Sequence, residues 1–133
     1  MQLPRGARLA LASIALLIAG TAAASAFDTK PYDEASFKAA QGAGQAIVVD
    51  VFAPWCPTCA AQQKVLDTLK AKPDYDKLTI FKVDFDNQPD VVKGFGARSQ
   101  STLIAYKGAT ETGRSVGDTG AASIEELLKS TSK

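Results

Sequence analysis

Short apolar runs alternate along the chain with stretches whose apolar residues recur at helical spacing. Ile47-Val48-Val49-Asp50-Val51-Phe52 is almost unbroken in β-branched and apolar residues. Such a run predicts a central strand covered on both faces, where no polar alternation is required. Residues 78–83 predict a second strand and 102–106 a third. Gly108 opens a turn, and 112–116 reads as the hairpin partner of the third strand. Four helices are predicted around these strands. Residues 31–40 offer Tyr32, Phe37 and Ala40 as contacts, with Gly42 and Gly44 as stops. Residues 57 to about 70 carry the stripe Ala61, Val65, Leu66 and Leu69, with Pro73 beyond the end. Residues 90–95 form a short helix stopped by Gly94 and Gly96. Ser123-Ile124-Glu125-Glu126 reads as a capping box for the last, with Ile124, Leu127 and Leu128 as its apolar face. Alternation of this kind predicts parallel pairing, and the closing strand–turn–strand predicts an antiparallel edge. The expected fold is α/β: a three-layer α/β/α sandwich on a mixed central sheet.

The first 26 residues follow a different rule. Arg5 and Arg8 form a short basic segment, Leu9 to Gly20 an apolar one, and Ala24-Ser25-Ala26 a small-x-small cleavage pattern. Residues 1–26 are expected to be a cleavable signal peptide, and 27–133 the single domain. An uncleaved membrane anchor is the competing expectation, although the second half of the segment is Ala, Gly, Ser and Thr rather than strongly apolar. The pattern looks bacterial, so the expected address is the periplasm, with a membrane-anchored protein facing the periplasm as the alternative. The chain of 133 residues is ordinary in composition, 46% hydrophobic and 22% charged, with net charge +1. Loss of Arg5 and Arg8 leaves 13 basic and 14 acidic residues, net −1. Near-neutrality and the lack of any Lys/Arg cluster exclude an electrostatic nucleic-acid binder.

The only two cysteines lie two residues apart, directly after the first apolar run, in Trp55-Cys56-Pro57-Thr58-Cys59. In an exported protein two cysteines ordinarily suggest a structural bridge. So short a loop removes little chain entropy from the unfolded state, and makes a poor staple. The spacing suits thiol–disulfide exchange, with one sulfur attacking and a close second one resolving. Two thiolates without any histidine are too few for a closed zinc site. Only a dimer or added carboxylates would complete a metal or cluster site, and no metal is expected.

Taken together, these segments resemble the thioredoxin family over essentially all of residues 27–133. The stretches that carry the resemblance are Val49-Asp50-Val51-Phe52-Ala53-Pro54-Trp55-Cys56-Pro57-Thr58-Cys59, Lys82-Val83-Asp84, Gly96-Ala97-Arg98 running into Thr102-Leu103, and Gly117. The resemblance implies a thioredoxin-like fold and a dithiol–disulfide oxidoreductase, more a reductant than an oxidant. It implies no cofactor beyond the Cys56–Cys59 disulfide. Protein disulfides are the implied substrates and another dithiol protein the electron donor, with the chain acting as a monomer. Membrane contact is expected only if residues 1–26 are uncleaved. A net oxidase or isomerase with the same cysteines is the nearest alternative.

In this reading Cys56, at the N-terminal edge of the helix that Pro57 opens, attacks first. A helix dipole worth about 1 kcal/mol moves a pKa by only ~0.7 unit, and the family's range near 7 lies about twice as far below a free thiol's ~8.5. Hydrogen bonds to the thiolate must supply the rest. Cys59, one turn deeper, resolves the mixed disulfide, and Asp50 is the candidate acceptor of its proton, directly or through water. Lys82 matches the family's basic partner for that aspartate. Trp55 shields the sulfurs and offers incoming chains a flat surface. Pro57 and Thr58 tune the redox poise.

Two departures stand out. Where the family has a cis-proline before its Thr-Leu strand, this chain has Ser101, followed by Thr102. A cis bond before a non-proline residue costs about 2.5–4 kcal/mol, so Gln100–Ser101 is expected to be trans. Ser101 also brings a hydroxyl and an N–H beside the sulfurs, able to bond a thiolate or alter substrate docking. Lys64 falls where many thioredoxins have a kinking proline, so the active-site helix is expected to be straighter.

Overall fold

The computed structural model describes Gly20 and residues 27–133. The expected signal segment otherwise lies outside the described residues. The elements run β1 (Asp28–Pro31), α1 (Glu34–Gly42), β2 (Ala46–Phe52), α2 (Pro57–Lys70), a 3₁₀ turn (Pro73–Tyr75), β3 (Thr79–Asp84), α3 (Pro89–Gly94), β4 (Thr102–Lys107), β5 (Thr110–Val116) and α4 (Ala121–Ser130). They form one five-stranded sheet in the order β1-β3-β2-β4-β5. β3 pairs in parallel with both β1 and β2, while β4 is antiparallel to β2 and β5 to β4. The mixed sheet expected from the sequence is therefore present.

β2 shows why the apolar run had to be continuous. Ile47, Val49 and Val51 enter one core with Phe37 and Ala40 of α1, Val92 of α3 and Phe81 of β3. Val48 enters the other with Leu66 and Leu69 of α2 and Ile124 and Leu128 of α4. Asp50 shares the Val48 face by strand alternation, which sets a carboxylate beneath α2. Leu66→Ala, at a fully buried position, is expected to cost 2–5 kcal/mol, roughly, in urea unfolding.

Three expectations are corrected. The first helix does not begin at Pro31. Residues 28–31 are the edge strand β1, ending in a proline that such an edge tolerates. Asp33 caps α1 by accepting from Ser36 N–H at 2.8 Å, and Tyr32 stacks on Phe37 with centroids 5.5 Å apart, the hydrophobic staple across an N-cap. Second, Ser123 does not cap α4. Gly120 occupies the N-cap, its N–H donates to Asp118 Oδ1 at 2.8 Å, and the Ser123 hydroxyl donates to the Gly120 carbonyl from within the first turn. Third, the buried stripe of α2 is Cys59, Gln62, Leu66 and Leu69. It passes through Gln62 where Ala61 was expected, because the helix turns its first buried position to the cysteine.

Candidate active site

The end of β2 delivers the chain to α2 through Ala53–Trp55. Cys56 takes the N-cap position with extended backbone (φ −88°, ψ 110°), and Pro57 follows at the first helical position. An N-cap side chain points at the free amides of the first turn. Cys59 N–H accordingly donates to Cys56 Sγ at 3.1 Å. The two cysteines are joined as a disulfide, one turn apart. Their burial differs from expectation. Cys56 is 4% exposed and Cys59 9%, so Cys59 is not the deeper of the two. The two sulfurs differ instead in their amides: only Cys56 receives an N–H from the helix's first turn.

Asp50 and Lys82 are Cα partners across the parallel β2–β3 pair, so their side chains rise together on the α2 face. Lys82 Nζ lies 3.2 Å from Asp50 Oδ2, donates to Gln63 Oε1 of α2 at 2.9 Å, and sits 4.5 Å from the centroid of the Phe52 ring. Asp50 is buried, 4% exposed. Burial pushes its carboxyl above the ordinary range, with the Lys82 charge pulling partly back. Lys82 and Gln63 also line a cavity of about 140 Å³ shared with Cys56, Cys59, Ala60 and Phe52. That volume accommodates a few waters at about 30 Å³ each, beside Cys59 and Lys82.

The opposite wall is the segment before β4. No peptide bond among the described residues is cis, so Gln100–Ser101 is trans. Ser101 instead has φ +61°, and is the only non-glycine residue with positive φ among those described. A left-handed serine costs on the order of 1–3 kcal/mol and needs surroundings that enforce it. Those surroundings are visible. The Ser101 carbonyl accepts from Gly117 N–H at 2.9 Å and from Gln62 Nε2 at 3.0 Å. Gln62, 1% exposed, donates also to the Asp118 carbonyl at 2.8 Å. Thr102, buried at the start of β4, closes the turn by donating to the Ser99 carbonyl at 2.8 Å. The result places Ser101 Oγ 3.1 Å from Cys56 Sγ and 3.2 Å from Cys59 Sγ.

Trp55 is 60% exposed beside the pair. Its Nε1–H donates to Asp86 Oδ2 at 2.6 Å, while Asp84 orders the same loop by accepting from the N–H groups of Asp86 and Asn87. Pro57 is exposed and Thr58 half-buried. The structure thus gathers Asp50, Trp55, Cys56, Pro57, Thr58, Cys59 and Lys82 around the C-terminal ends of β2 and β3, with Ser101 against the two sulfurs, whereas the Thr102 side chain lies on the opposite, Val51 face of the sheet and does not meet them. Sequence reasoning missed Gln62, Gln63 and Asp86. A polar residue in the middle of an apolar helical stripe was the available signal for Gln62. Among the described residues, no group of three or more Cys, His, Asp or Glu could hold a metal ion.

A close cysteine pair at a helix N-terminus, in a sheet of this order, belongs to a protein thiol–disulfide oxidoreductase. Comparison with known proteins agrees. The family model described as Thioredoxin matches residues 28–130. A thioredoxin of Chlamydia muridarum is 39% identical over 82 residues, covering 62% of this chain and 78% of that protein. The crystal structure of Trxlp from Edwardsiella tarda EIB202 superimposes with a TM-score of 0.73 at 40% identity, over 76% of this chain and 98% of that one. Malassezia sympodialis thioredoxin shares the fold, with a TM-score of 0.70 at 23% identity over 81% and 93% of the two chains. The chain belongs to the thioredoxin family and is a protein-disulfide oxidoreductase with a close Cys56–Cys59 pair. Members of this family act on protein disulfides, draw electrons from a reductant and need no cofactor.

Proposed function

We propose that this protein is exported and works there as a reductant of protein disulfides. Cys56 is the attacking sulfur. Its thiolate bonds to one sulfur of a substrate disulfide, the substrate S–S bond breaks, and the departing substrate thiolate takes up a proton. Cys59, once deprotonated, attacks Cys56 in the mixed disulfide. The second substrate thiol leaves, the Cys56–Cys59 bond closes, and two electrons have passed to the substrate. A dithiol protein restores the pair by the reverse exchange.

The observation that carries this reading is Cys56 at the N-cap of α2 with the Cys59 N–H on its sulfur at 3.1 Å. The same donor and the helix dipole favour a thiolate there. Asp50 receives the Cys59 proton, directly or through a water, and Lys82 holds that carboxylate in place. Trp55, Ser101 and Thr102 form the edge along which substrate backbone docks, while Pro57 and Thr58 set the poise. The pair is complete within one chain, which supports a monomer.

Direction is tested by equilibrium with glutathione. A potential near −270 mV is expected, and one near −120 mV would identify an oxidant instead. Export rests on Arg5, Arg8, the apolar segment to Gly20 and Ala24-Ser25-Ala26. Expressed in a bacterium, the full chain is expected in the periplasmic fraction with Phe27 as its first residue. A chain retained at full length in the membrane fraction would favour the anchor.

A further inference from the structure

Among the described residues, the Ser101 hydroxyl joins neither the backbone network that holds its loop nor any side chain but the two cysteines, whose sulfurs lie 3.1 and 3.2 Å away. The residue is buried, and its φ of +61° is maintained by bonds to its carbonyl from Gln62 and Gly117. A strained backbone therefore presents one hydroxyl to both reacting atoms. We infer that Ser101 is a catalytic residue whose hydroxyl stabilises each thiolate of the cycle in turn. This rests on the dithiol mechanism above and adds to it a donor from outside the Cys-x-x-C segment.

The donor count fixes the direction of the Ser101–Cys56 bond. A hydroxyl has one hydrogen to give and lone pairs to receive. In the reduced protein the Cys56 thiolate only accepts, and the Cys59 thiol has a hydrogen to donate. Cys59 S–H donates to Ser101 Oγ or to Cys56 S⁻ itself, and in either arrangement Ser101 O–H donates to Cys56 S⁻. With the Cys59 amide, Cys56 then receives two donors, and bonds to a charged acceptor are the stronger kind. When Cys56 enters a mixed disulfide its negative charge is gone. The Ser101 hydrogen is then free to turn to Cys59 as that thiol loses its proton, so one donor serves both chemical steps. Ser101 takes up no proton of its own. The proton of Cys59 leaves by the route through Asp50.

Two variants separate chemistry from folding. Ser101→Ala removes the hydroxyl and keeps the strained φ. Ser101→Gly removes the hydroxyl at a backbone conformation that glycine adopts freely. Each full-length protein is reduced, freed of reductant, and titrated by thiolate absorbance at 240 nm and by iodoacetamide alkylation rate. Both variants are expected to raise the Cys56 pKa by about one unit, the scale of one hydrogen bond to a charged group. Both are expected to resolve a preformed mixed disulfide several-fold more slowly. Ser101→Gly is expected to unfold at the same or a higher urea concentration than the wild type. A purely structural serine predicts the opposite pairing, a wild-type pKa in the glycine variant. If both variants titrate with the wild type, the Ser101 assignment falls and the dithiol mechanism stands. If the wild-type thiols themselves titrate as free cysteines near 8.5, both fall together.

Discussion

Cys59→Ser is expected to halt the protein after half a cycle. Mixed with a protein disulfide, the reduced variant releases one substrate thiol per molecule in a fast phase and then stops. The Cys59 amide that donates to Cys56 Sγ is backbone, so it survives the substitution. Cys56 therefore remains activated and the covalent intermediate still forms. What is lost is an intramolecular thiol one helical turn away. Well-oriented intramolecular groups act at effective concentrations of roughly 10⁵ M or more. Millimolar external thiol replaces them poorly, so steady-state turnover is expected to fall by at least about 10³-fold. Intact mass spectrometry should show the protein carrying its substrate. Cys56→Ser should form no such adduct and reduce nothing above the uncatalysed rate. If Cys56→Ser captured substrate and Cys59→Ser did not, the roles of the two sulfurs would be reversed.

Asp50→Asn is expected to make a more stable and slower protein. The folded state raises the Asp50 carboxyl pKa through burial, against the opposing pull of Lys82. Folded protein therefore holds this proton more tightly than the unfolded chain does. Stability falls as pH rises from the ordinary carboxyl range through the raised value, then levels. Above the raised value the wild type bears the full cost of an ionised buried carboxylate. Asparagine does not, so the variant should unfold at higher urea, with the advantage vanishing as pH drops to the ordinary carboxyl range. The same change removes the proton acceptor for Cys59. Mixed-disulfide resolution is expected to slow by about 10²-fold at neutral pH, the lower end for general-base contributions. The first attack by Cys56 should hardly change. An asparagine variant that was less stable across the whole alkaline limb of the pH profile would show that the Lys82 attraction outweighs burial.

Much of the site was legible because its residues break local rules. Asp50 interrupts an apolar strand, Lys82 a neighbouring one, and parallel register brings the two interruptions side by side. Cys56 and Cys59 are three positions apart in sequence and need only the helix that Pro57 starts. Ser101 was marked by its place before Thr102. Its left-handed backbone was not, since that conformation is imposed by Gln62 and Gly117, 39 and 16 residues away along the chain. Gln62 was passed over for Ala61 because composition favours alanine on an apolar stripe, whereas the Ser101 and Asp118 carbonyls made a buried amide useful. The polar four-residue strand β1 carries almost no pattern of its own and exists by pairing with β3. The Trp55–Asp86 bond likewise joins loops 31 residues apart. In α4, Asp118 reached the Gly120 amide from outside the helix and displaced the expected Ser123 cap.

The relative burial of the cysteines gives no preference for Cys56, so its reactivity rests on the groups that stabilise its thiolate, the helix end with the Cys59 N–H and the Ser101 hydroxyl. Limited iodoacetamide treatment of the reduced protein at pH 7, followed by peptide mapping, tests this directly. A single fast adduct on Cys56 is predicted, with Cys59 modified only after denaturation. Faster modification of Cys59, or equal modification of both, would contradict the account.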